Sequence, residues 1–262
     1  MKYNNVLETI GDTPLVKINN SCGNNANVYA KLEYFNPGSS VKDRVAFALV
    51  EKGEQHGFIK NDTIIIEPTS GNTGVGLAMV CAVKGYKLIL TMPDSVSFER
   101  RQILAGFGAE LVLTEGSLGM AGAITKAEEL AAENKNSWIP EQFKNPANPE
   151  AHEKATAVEI WNDTEGKIDI FIAAAGTGGT VSGNARTLKK LNPDIEIIAV
   201  EPAGSPVITQ SLNNEDLKPG AHKIQGIGAG FIPDNLDLSL IDEVMKVEDQ
   251  EAIEQTRRLM KE

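Results

Sequence analysis

Asn36-Pro37-Gly38-Ser39-Ser40-Val41-Lys42-Asp43-Arg44 is the stretch from which the rest of the chain can be interpreted. A Pro-Gly turn and two hydroxyl residues precede an apolar run with helical spacing, which predicts a helix with Ser39 or Ser40 as N-cap and an end near Gln55. Lys42 then lies in the first turn, where a cation meets the positive end of the helix dipole. Two interpretations stay open from these residues alone. In one, the lysine binds a phosphate or forms an imine with a carbonyl. In the other, it is an ordinary surface lysine.

Length and composition place the chain among α/β proteins of one or two domains. It has 262 residues, 41% of them hydrophobic, and combines 24 glycines with only 5% aromatic residues. Sparse aromatics and frequent Gly-centred turns favour an α/β protein over a β-sandwich. The net charge of −11 argues against binding to nucleic acid or to an anionic membrane surface. An anionic ligand must therefore be held locally, by helix N-termini and oriented amides.

The metal-ligating and redox-active residue types show no site pattern. Cys22 and Cys81 lie far apart, and the three histidines form no ligand cluster, so no metal is expected. The first residues lack the apolar core of a signal peptide, and no run approaches the length of a membrane span. We expect a cytoplasmic protein.

Two strand–helix–strand units can be read from the apolar periodicity. In the first, strands at 63–67 and 87–92 flank a helix at 75–84 that ends at Gly85. The second unit repeats the first in outline. It has strands at 168–173 and 195–200 around a helix at 181–191. Strands joined in this way run parallel.

The remaining elements follow from weaker signals. Further strands are predicted at 13–18, 28–33, 110–113, 138–139 and 244–247, and further helices at 99–107, 119–133, 152–162 and 248–261. Asn19 to Asn27 is predicted as a polar turn. Residues 203–235 are predicted as loop, and 140–149, with three prolines, as the crossing between domains.

The glycine-rich stretch Gly176-Thr177-Gly178-Gly179-Thr180 lies between a predicted strand and a predicted helix. Its amides and two hydroxyls suit a phosphate at a helix N-terminus. It has no Walker lysine and does not match the dinucleotide pattern, so a single phosphate is favoured. The alternative is a tight turn without a ligand.

The loop Thr69-Ser70-Gly71-Asn72-Thr73 has the same context and more hydroxyls. It can bind a carboxylate, although for this loop taken alone a plain turn followed by an N-cap is the better explanation. An imine-forming lysine, a phosphate site and a carboxylate site together match pyridoxal phosphate bound to an amino acid.

These motifs, in this order and spacing, resemble the cysteine synthase (O-acetylserine sulfhydrylase) family of tryptophan-synthase-β-like pyridoxal-phosphate enzymes. The similarity runs the whole length of the chain. It rests on 10–15, 36–44, 68–74, 142–149, 176–180 and 223–231.

The resemblance implies fold type II, an α/β architecture of two open twisted sheets with flanking helices. It implies a smaller mobile domain at 35–145 that carries Lys42 and the Thr69–Thr73 loop. A larger domain, 1–34 plus 146–262, would carry the phosphate loop.

The resemblance also implies roles for individual residues, with pyridoxal 5'-phosphate as the cofactor. Lys42 would bind the cofactor covalently and shuttle the α-proton. The cofactor would also contact Asn72, at its ring hydroxyl, and the phosphate loop residues Gly176, Thr177, Gly178, Gly179 and Thr180. The substrate would be bound by Thr69, Ser70, Gly71, Asn72, Thr73, Gln142 and Gly228.

The reaction implied is the replacement of the acetoxy group of O-acetyl-L-serine by sulfide, which gives L-cysteine and acetate. Two alternatives stay open. One is a cystathionine β-synthase-type reaction with homocysteine, and the other is a catalytically impaired paralogue that binds serine acetyltransferase. The family resemblance further implies a homodimer and suggests the C-terminal tail of serine acetyltransferase as a partner.

One departure from the family concerns the end of the sequence. Family members carry a Gly-Ile-Ser-Ser-Gly-like segment after the last helix, and its first serine meets the pyridine nitrogen. This sequence ends at Glu262, before such a segment. The expectation is a C-terminally incomplete larger domain with exposed apolar sheet surface, and a chain less stable than a longer relative.

Overall fold

The computed structural model describes residues 1–19 and 26–261. Contacts divide these residues into two compact units, Met1–Gly11 with Glu33–Ala147 and Asp12–Leu32 with Asn148–Glu262. The turn predicted for Asn19 to Asn27 therefore lies mostly outside the described residues, as does Cys22.

The secondary structure alternates between strands and helices along most of the chain. The strands are β1 Leu15–Ile18, β2 Val28–Lys31, β3 Ile64–Pro68, β4 Lys87–Pro93, β5 Glu110–Thr114, β6 Ser137–Trp138, β7 Ile170–Ala174, β8 Glu196–Pro202 and β9 Glu243–Val247. The α-helices are α1 Lys42–Gln55, α2 Asn72–Lys84, α3 Phe98–Gly106, α4 Gly119–Glu133, α5 Ala147–Ala151, α6 Ala157–Asp163, α7 Gly179–Leu191, α8 Val207–Leu212 and α9 Asp249–Leu259.

The first unit contains a parallel sheet in the order β5-β4-β3-β6. The β-branched run of β3 lies at its centre, and the side chains of Ile65 and Ile66 are fully buried. Leu77 of α2 and Leu90 of β4 belong to the same core. The predicted strand–helix–strand unit is confirmed, because β3 and β4 pair in parallel around α2.

The second unit contains a parallel sheet in the order β7-β8-β9 and an antiparallel pair, β1 with β2. Leu188 of α7 and Ile197 of β8 are fully buried in its core. The α/β class with parallel sheets and flanking helices is confirmed in both units.

The N-terminal residues differ from the expected division. The prediction placed 1–34 with the second unit, whereas Met1–Gly11 belongs to the first. Leu7 is buried in the core of the first unit, and the N–H of Gly11 donates to Asn36 Oδ1 at 2.9 Å. One buried side chain and one long-range hydrogen bond therefore attach this arm to the first unit. The mobility of the 35–145 domain stays a prediction.

The helix predicted at 152–162 is confirmed, and its first part, His152–Thr156, is a π-helical turn before α6. The prediction for residues 203–235 was wrong in part. The loop predicted at 203–235 contains the short helix α8, whose first amides donate to the buried Glu201 carboxylate. Tertiary hydrogen bonds stabilise both segments, and local sequence carries little signal for such bonds.

One face of β7 exposes apolar side chains. Ile170 is 48% exposed and Ile172 is 54% exposed, although both are β-branched residues of a parallel sheet. The expected difference in stability stays a prediction.

Candidate active site

Lys42 is the first residue of α1, which confirms the prediction that it lies in the first turn of this helix. Its backbone N–H donates to Ser40 Oγ at 3.1 Å, whereas Ser39 adopts a left-handed backbone with φ +62°. The N-cap of α1 is Val41, which makes no side-chain capping bond. The prediction of Ser39 or Ser40 as N-cap was therefore wrong, although the Ser40 hydroxyl accepts the N–H of Lys42. Burial lowers the pKa of the Lys42 ammonium. Within the part of the chain that the structure describes, no hydrogen bond or ion pair involves Nζ. These are the properties of a lysine that can act as a nucleophile or a base.

Asp43 holds the loop in front of Lys42. Its carboxylate is fully buried and accepts the N–H of Gly38 at 2.5 Å. Burial, with a smaller contribution from the charge of Glu33, raises the pKa of Asp43 to about 6. A Cβ on Gly38 would lie 2.5 Å from Asp43 Oδ1. Position 38 therefore has to be glycine, because the Asp43 carboxylate occupies the space that a side chain at this position would fill.

Helix α2 packs closely against the start of α1. A Cβ on Gly76 would lie 2.9 Å from the carbonyl oxygen of Lys42 and 2.9 Å from Ala46 Cβ. This close backbone approach fixes the position of the lysine relative to the loop that precedes α2.

The loop Thr69–Gly71 leads from β3 into α2. Thr69 is buried, and its Oγ1 accepts the N–H of Gly71 at 3.2 Å. Because α2 begins at Asn72 without a side-chain cap, its first amides point toward this loop and suit an anion. The exposed Asn72 accepts a hydrogen bond from Arg100 at 3.3 Å. Sequence analysis did not identify Arg100, which comes from α3.

Gln142 lies beside Thr73 in the same unit. Both side chains are buried, and the Thr73 hydroxyl donates to Gln142 Oε1 at 2.6 Å. Two residues that are 69 positions apart and predicted to bind one carboxylate are therefore in direct contact.

The glycine-rich loop lies between β7 and α7 in the second unit. Gly178 precedes α7 with φ +82°, and a Cβ on Gly179 would lie 2.0 Å from Asn148 Oδ1. A Cβ on Gly176 would lie 2.4 Å from the carbonyl oxygen of Gly226. Neighbouring atoms therefore leave no room for a side chain at Gly176 or Gly179, and the left-handed backbone favours glycine at Gly178.

Two side chains that sequence analysis missed support the threonines of this loop. Asn148 Nδ2 donates to Thr177 Oγ1 at 2.9 Å. His152 Nε2 lies 3.2 Å from Thr180 Oγ1, and its Nδ1 lies 3.0 Å from Thr156 Oγ1. His152 is fully buried in the π-helical turn, a form of helix that is frequent at functional sites. Asn148 and His152 thus hold the two threonine hydroxyls of the loop in position.

Gly228 lies next to the glycine-rich loop, because its N–H donates to the carbonyl of Ala175 at 3.0 Å. Its φ is +66°, and a Cβ would lie 2.7 Å from His222 Nε2 and from Pro202. The structure therefore brings Gly228 and Gly176–Thr180 together in the second unit.

The arrangement of the glycine-rich loop fits a phosphate group. Amides of Gly179 and Thr180 open a helix of 13 residues, two hydroxyls flank them, and no Cβ covers the glycine backbone. Such an end attracts an anion through its free N–H groups and the helix dipole.

The two units carry different candidate binding features. The first unit presents an amine of lowered pKa and a polar loop that suits a carboxylate, and the second unit presents a glycine-rich loop that suits a phosphate. No group of three or more metal-ligating side chains occurs among the described residues. Across residues 1–19 and 26–261, no helix combines the length and hydropathy that a bilayer span requires.

Comparison with known proteins identifies the class to which this fold and this site belong. Residues 6–262 match the model of the pyridoxal-phosphate-dependent enzyme family. The chain belongs to this family of pyridoxal-phosphate-dependent enzymes. The residues just described fit the cofactor's aldehyde and phosphate.

Individual relatives narrow the assignment within that family. The chain is 54% identical to cysteine synthase A of Escherichia coli over 257 residues, which is 97% of this chain and 79% of that protein. A crystal structure of cysteine synthase from Entamoeba histolytica is 45% identical, with a TM-score of 0.93 over 100% of this chain and 77% of that one. An O-acetylserine-dependent cystathionine β-synthase from Helicobacter pylori is 42% identical, with a TM-score of 0.88 over 100% of this chain and 84% of that one. The resemblance to the cysteine synthase family is confirmed.

Proposed function

We propose that this protein is a cysteine synthase that converts O-acetyl-L-serine and sulfide into L-cysteine and acetate. The observation that carries the proposal is the 54% identity to the Escherichia coli cysteine synthase A over 97% of the chain. The two polar loops and Lys42 support it, since they provide the three groups that a pyridoxal-phosphate reaction on an amino acid requires.

Lys42 is proposed to hold the cofactor and to move the substrate's α-proton. Because burial lowers the pKa of its ammonium, a larger share of neutral amine is available as a base near neutral pH. When bound, pyridoxal phosphate supplies an electron sink for the bond that breaks at the α-carbon. The bond from the β-carbon to the acetoxy oxygen then breaks and acetate leaves. Sulfide forms the new carbon–sulfur bond, and Lys42 returns the proton.

The substrate carboxylate is proposed to bind at the loop between β3 and α2. The free amides at the start of α2 and the hydroxyls of Thr69, Ser70 and Thr73 are available there, and Gln142 is already in contact with Thr73. Gly71 and Asn72 complete this set. On the second unit, Gly176–Thr180 is proposed to bind the cofactor phosphate, and Gly228 to line the substrate side.

The cellular setting belongs to the same proposal. We expect a cytoplasmic homodimer whose regulatory partner is the C-terminal tail of serine acetyltransferase. The family assignment supports this setting.

One alternative function rests on a specific observation. The Helicobacter pylori relative is described as an O-acetylserine-dependent cystathionine β-synthase, so homocysteine can replace sulfide as nucleophile on this fold. The first half of the reaction is identical in both cases, and the nucleophile distinguishes them.

A spectroscopic experiment tests the proposal in two stages. The visible spectrum of the purified protein is recorded before and after O-acetylserine, and sulfide or homocysteine is then added. The proposal predicts a new absorbance band with O-acetylserine and its loss with sulfide, with cysteine as the product. Turnover with homocysteine alone would favour the alternative. A cofactor band that O-acetylserine leaves unchanged would favour a catalytically impaired paralogue.

A further inference from the structure

Glu67 is a buried carboxyl group next to the proposed carboxylate-binding loop. It lies near the end of β3, two residues before Thr69, and its side chain is 1% exposed. An ionisable group in such a position is costly unless its hydrogen bonds are satisfied.

The hydrogen-bond partners of Glu67 all lie in one distant turn. Its carboxylate accepts the backbone N–H groups of Glu141 and Gln142 and a side-chain hydrogen bond from Gln142. Glu141 has φ +56°, a left-handed conformation that non-glycine residues adopt at a cost. Successive N–H groups in such a turn form a concave site for an oxygen acceptor, and here the carboxyl group of Glu67 occupies it.

This contact determines which way the Gln142 amide faces. Because the amide nitrogen donates to Glu67, the amide oxygen is left to accept the Thr73 hydroxyl, as the 2.6 Å contact shows. Glu67, Gln142 and Thr73 therefore form one chain of hydrogen bonds within the first unit. One end is deeply buried and the other reaches the proposed carboxylate-binding loop.

We propose that Glu67 is a positioning residue for the substrate carboxylate, because it holds the Glu141–Gln142 turn so that Gln142 supports Thr73. This inference rests on the function proposed above. Glu67 itself touches neither substrate nor cofactor. It acts through the orientation of Gln142.

The charge of Glu67 adds a second consequence. Burial is the main cause that raises its pKa to about 8, and the charge of Glu141 acts in the same direction. Its Oε2 is buried without a hydrogen-bond partner among residues 1–19 and 26–261. A neutral acid near pH 7 leaves the carboxylate-binding loop without an adjacent buried anion. Above about pH 8 the carboxylate forms and opposes a second carboxylate nearby.

The experiment compares Glu67→Met, which removes the acceptor at similar volume, with the conservative Glu67→Gln. L-Alanine, which has no leaving group, is titrated into each holoprotein, and the cofactor spectrum gives a Kd without turnover. We expect Glu67→Met to raise the Kd for L-alanine and the KM for O-acetylserine about tenfold, with a smaller change in kcat. Glu67→Gln should restore most of the affinity.

Thr91→Val is the matched control for stability. Thr91 is fully buried on the neighbouring strand β4, and its hydroxyl donates to the carbonyl of Ala123 at 2.7 Å. The substitution removes this hydrogen bond, so it should lower the thermal midpoint without changing the Kd for L-alanine.

A pH profile keeps the inference testable if Glu67→Met does not fold. The KM of the unmodified protein should rise above about pH 8 more steeply than that of Glu67→Gln. Lys42 and the substrate amine titrate in both proteins, so the difference belongs to Glu67. Identical profiles, or a Glu67→Met protein with unchanged Kd, would overturn the inference. Failure of the unmodified protein to turn over O-acetylserine would instead refute the proposed function.

Discussion

Replacing Gly178 by alanine tests whether the loop between β7 and α7 binds the cofactor phosphate. Gly178 has φ +82°, and an added Cβ would lie 2.7 Å from the backbone nitrogen of Leu236. The left-handed conformation costs alanine about 1–2 kcal/mol, and overlap with packed atoms about 1–3 kcal/mol. Alanine also restricts the unfolded chain, which offsets roughly 0.4–1 kcal/mol. The net expectation is a loss of about 1–5 kcal/mol in the free energy of unfolding.

The same strain should appear in cofactor binding, because the loop must move to accommodate the methyl group. We expect the affinity for pyridoxal phosphate to fall about tenfold or more, since each tenfold corresponds to about 1.4 kcal/mol. Fluorescence titration of the cofactor-free protein measures this affinity, and urea denaturation measures the stability.

Gly85→Ala is the matched control for this prediction. Gly85 has φ +77° at the end of α2, and an added Cβ would meet no atom within 4 Å. It should lose stability without any change in cofactor affinity. A Gly178→Ala protein that is destabilised yet binds pyridoxal phosphate as tightly as the unmodified chain would refute the phosphate assignment.

Three further predictions follow from other parts of the structure. Thr73→Val removes the 2.6 Å bond to Gln142 and should raise the KM for O-acetylserine about tenfold in steady-state kinetics; an unchanged KM would contradict the carboxylate assignment. Because the pKa of Asp43 rises from 3.8 to about 6 on folding, the folded state keeps a proton that the unfolded chain releases. The contribution of Asp43 to stability therefore falls as pH rises through that window. Asp43→Asn should remove this pH-dependent fall in the free energy of unfolding, which amounts to at most about 3 kcal/mol and is measured by urea denaturation. The same pH dependence of stability in both proteins would contradict this prediction. Burial raises the pKa of the Cys81 thiol to about 12, so a maleimide should label Cys81 in denatured protein and leave it intact in native protein, as peptide mapping can show.

Elements with local start and stop signals could be predicted from the sequence. The structure confirms that the helix carrying Lys42 ends at Gln55, although it begins after Val41 rather than directly after Ser39 or Ser40. It also confirms Gly85 as the left-handed C-cap of α2. Apolar periodicity, a turn before the helix and glycine after it act within a few residues of one another. Such signals survive without knowledge of tertiary contacts.

Segments that depend on distant partners could not be predicted. The π-helical turn at His152–Thr156 has an ordinary helical pattern in the sequence. His152 contacts Thr180, which follows 28 residues later. Helix α8 lies in a region rich in Gly, Pro and Asn and depends on the buried Glu201. In both cases long-range hydrogen bonds stabilise what local composition disfavours.

The candidate site shows the same division. Its loops have long motifs and could be proposed as binding loops from the sequence, whereas the residues that hydrogen-bond to them could not. Asn148 and Glu67 act on Thr177 and Gln142, residues that are far away in the chain. One usable signal was present. Both β3 and β8 end in Glu-Pro, and in both the glutamate is buried and accepts successive backbone N–H groups.

Reduction of the holoprotein with borohydride examines the role of Lys42 most directly. Borohydride reduces the imine between a lysine and the cofactor aldehyde to a stable secondary amine. The lysine then carries a pyridoxyl group, which peptide mapping locates. We expect the pyridoxyl mass on the peptide that contains Lys42, and its absence from a Lys42→Ala protein treated in the same way. An unmodified Lys42, or the label on another lysine, would contradict the proposed active site.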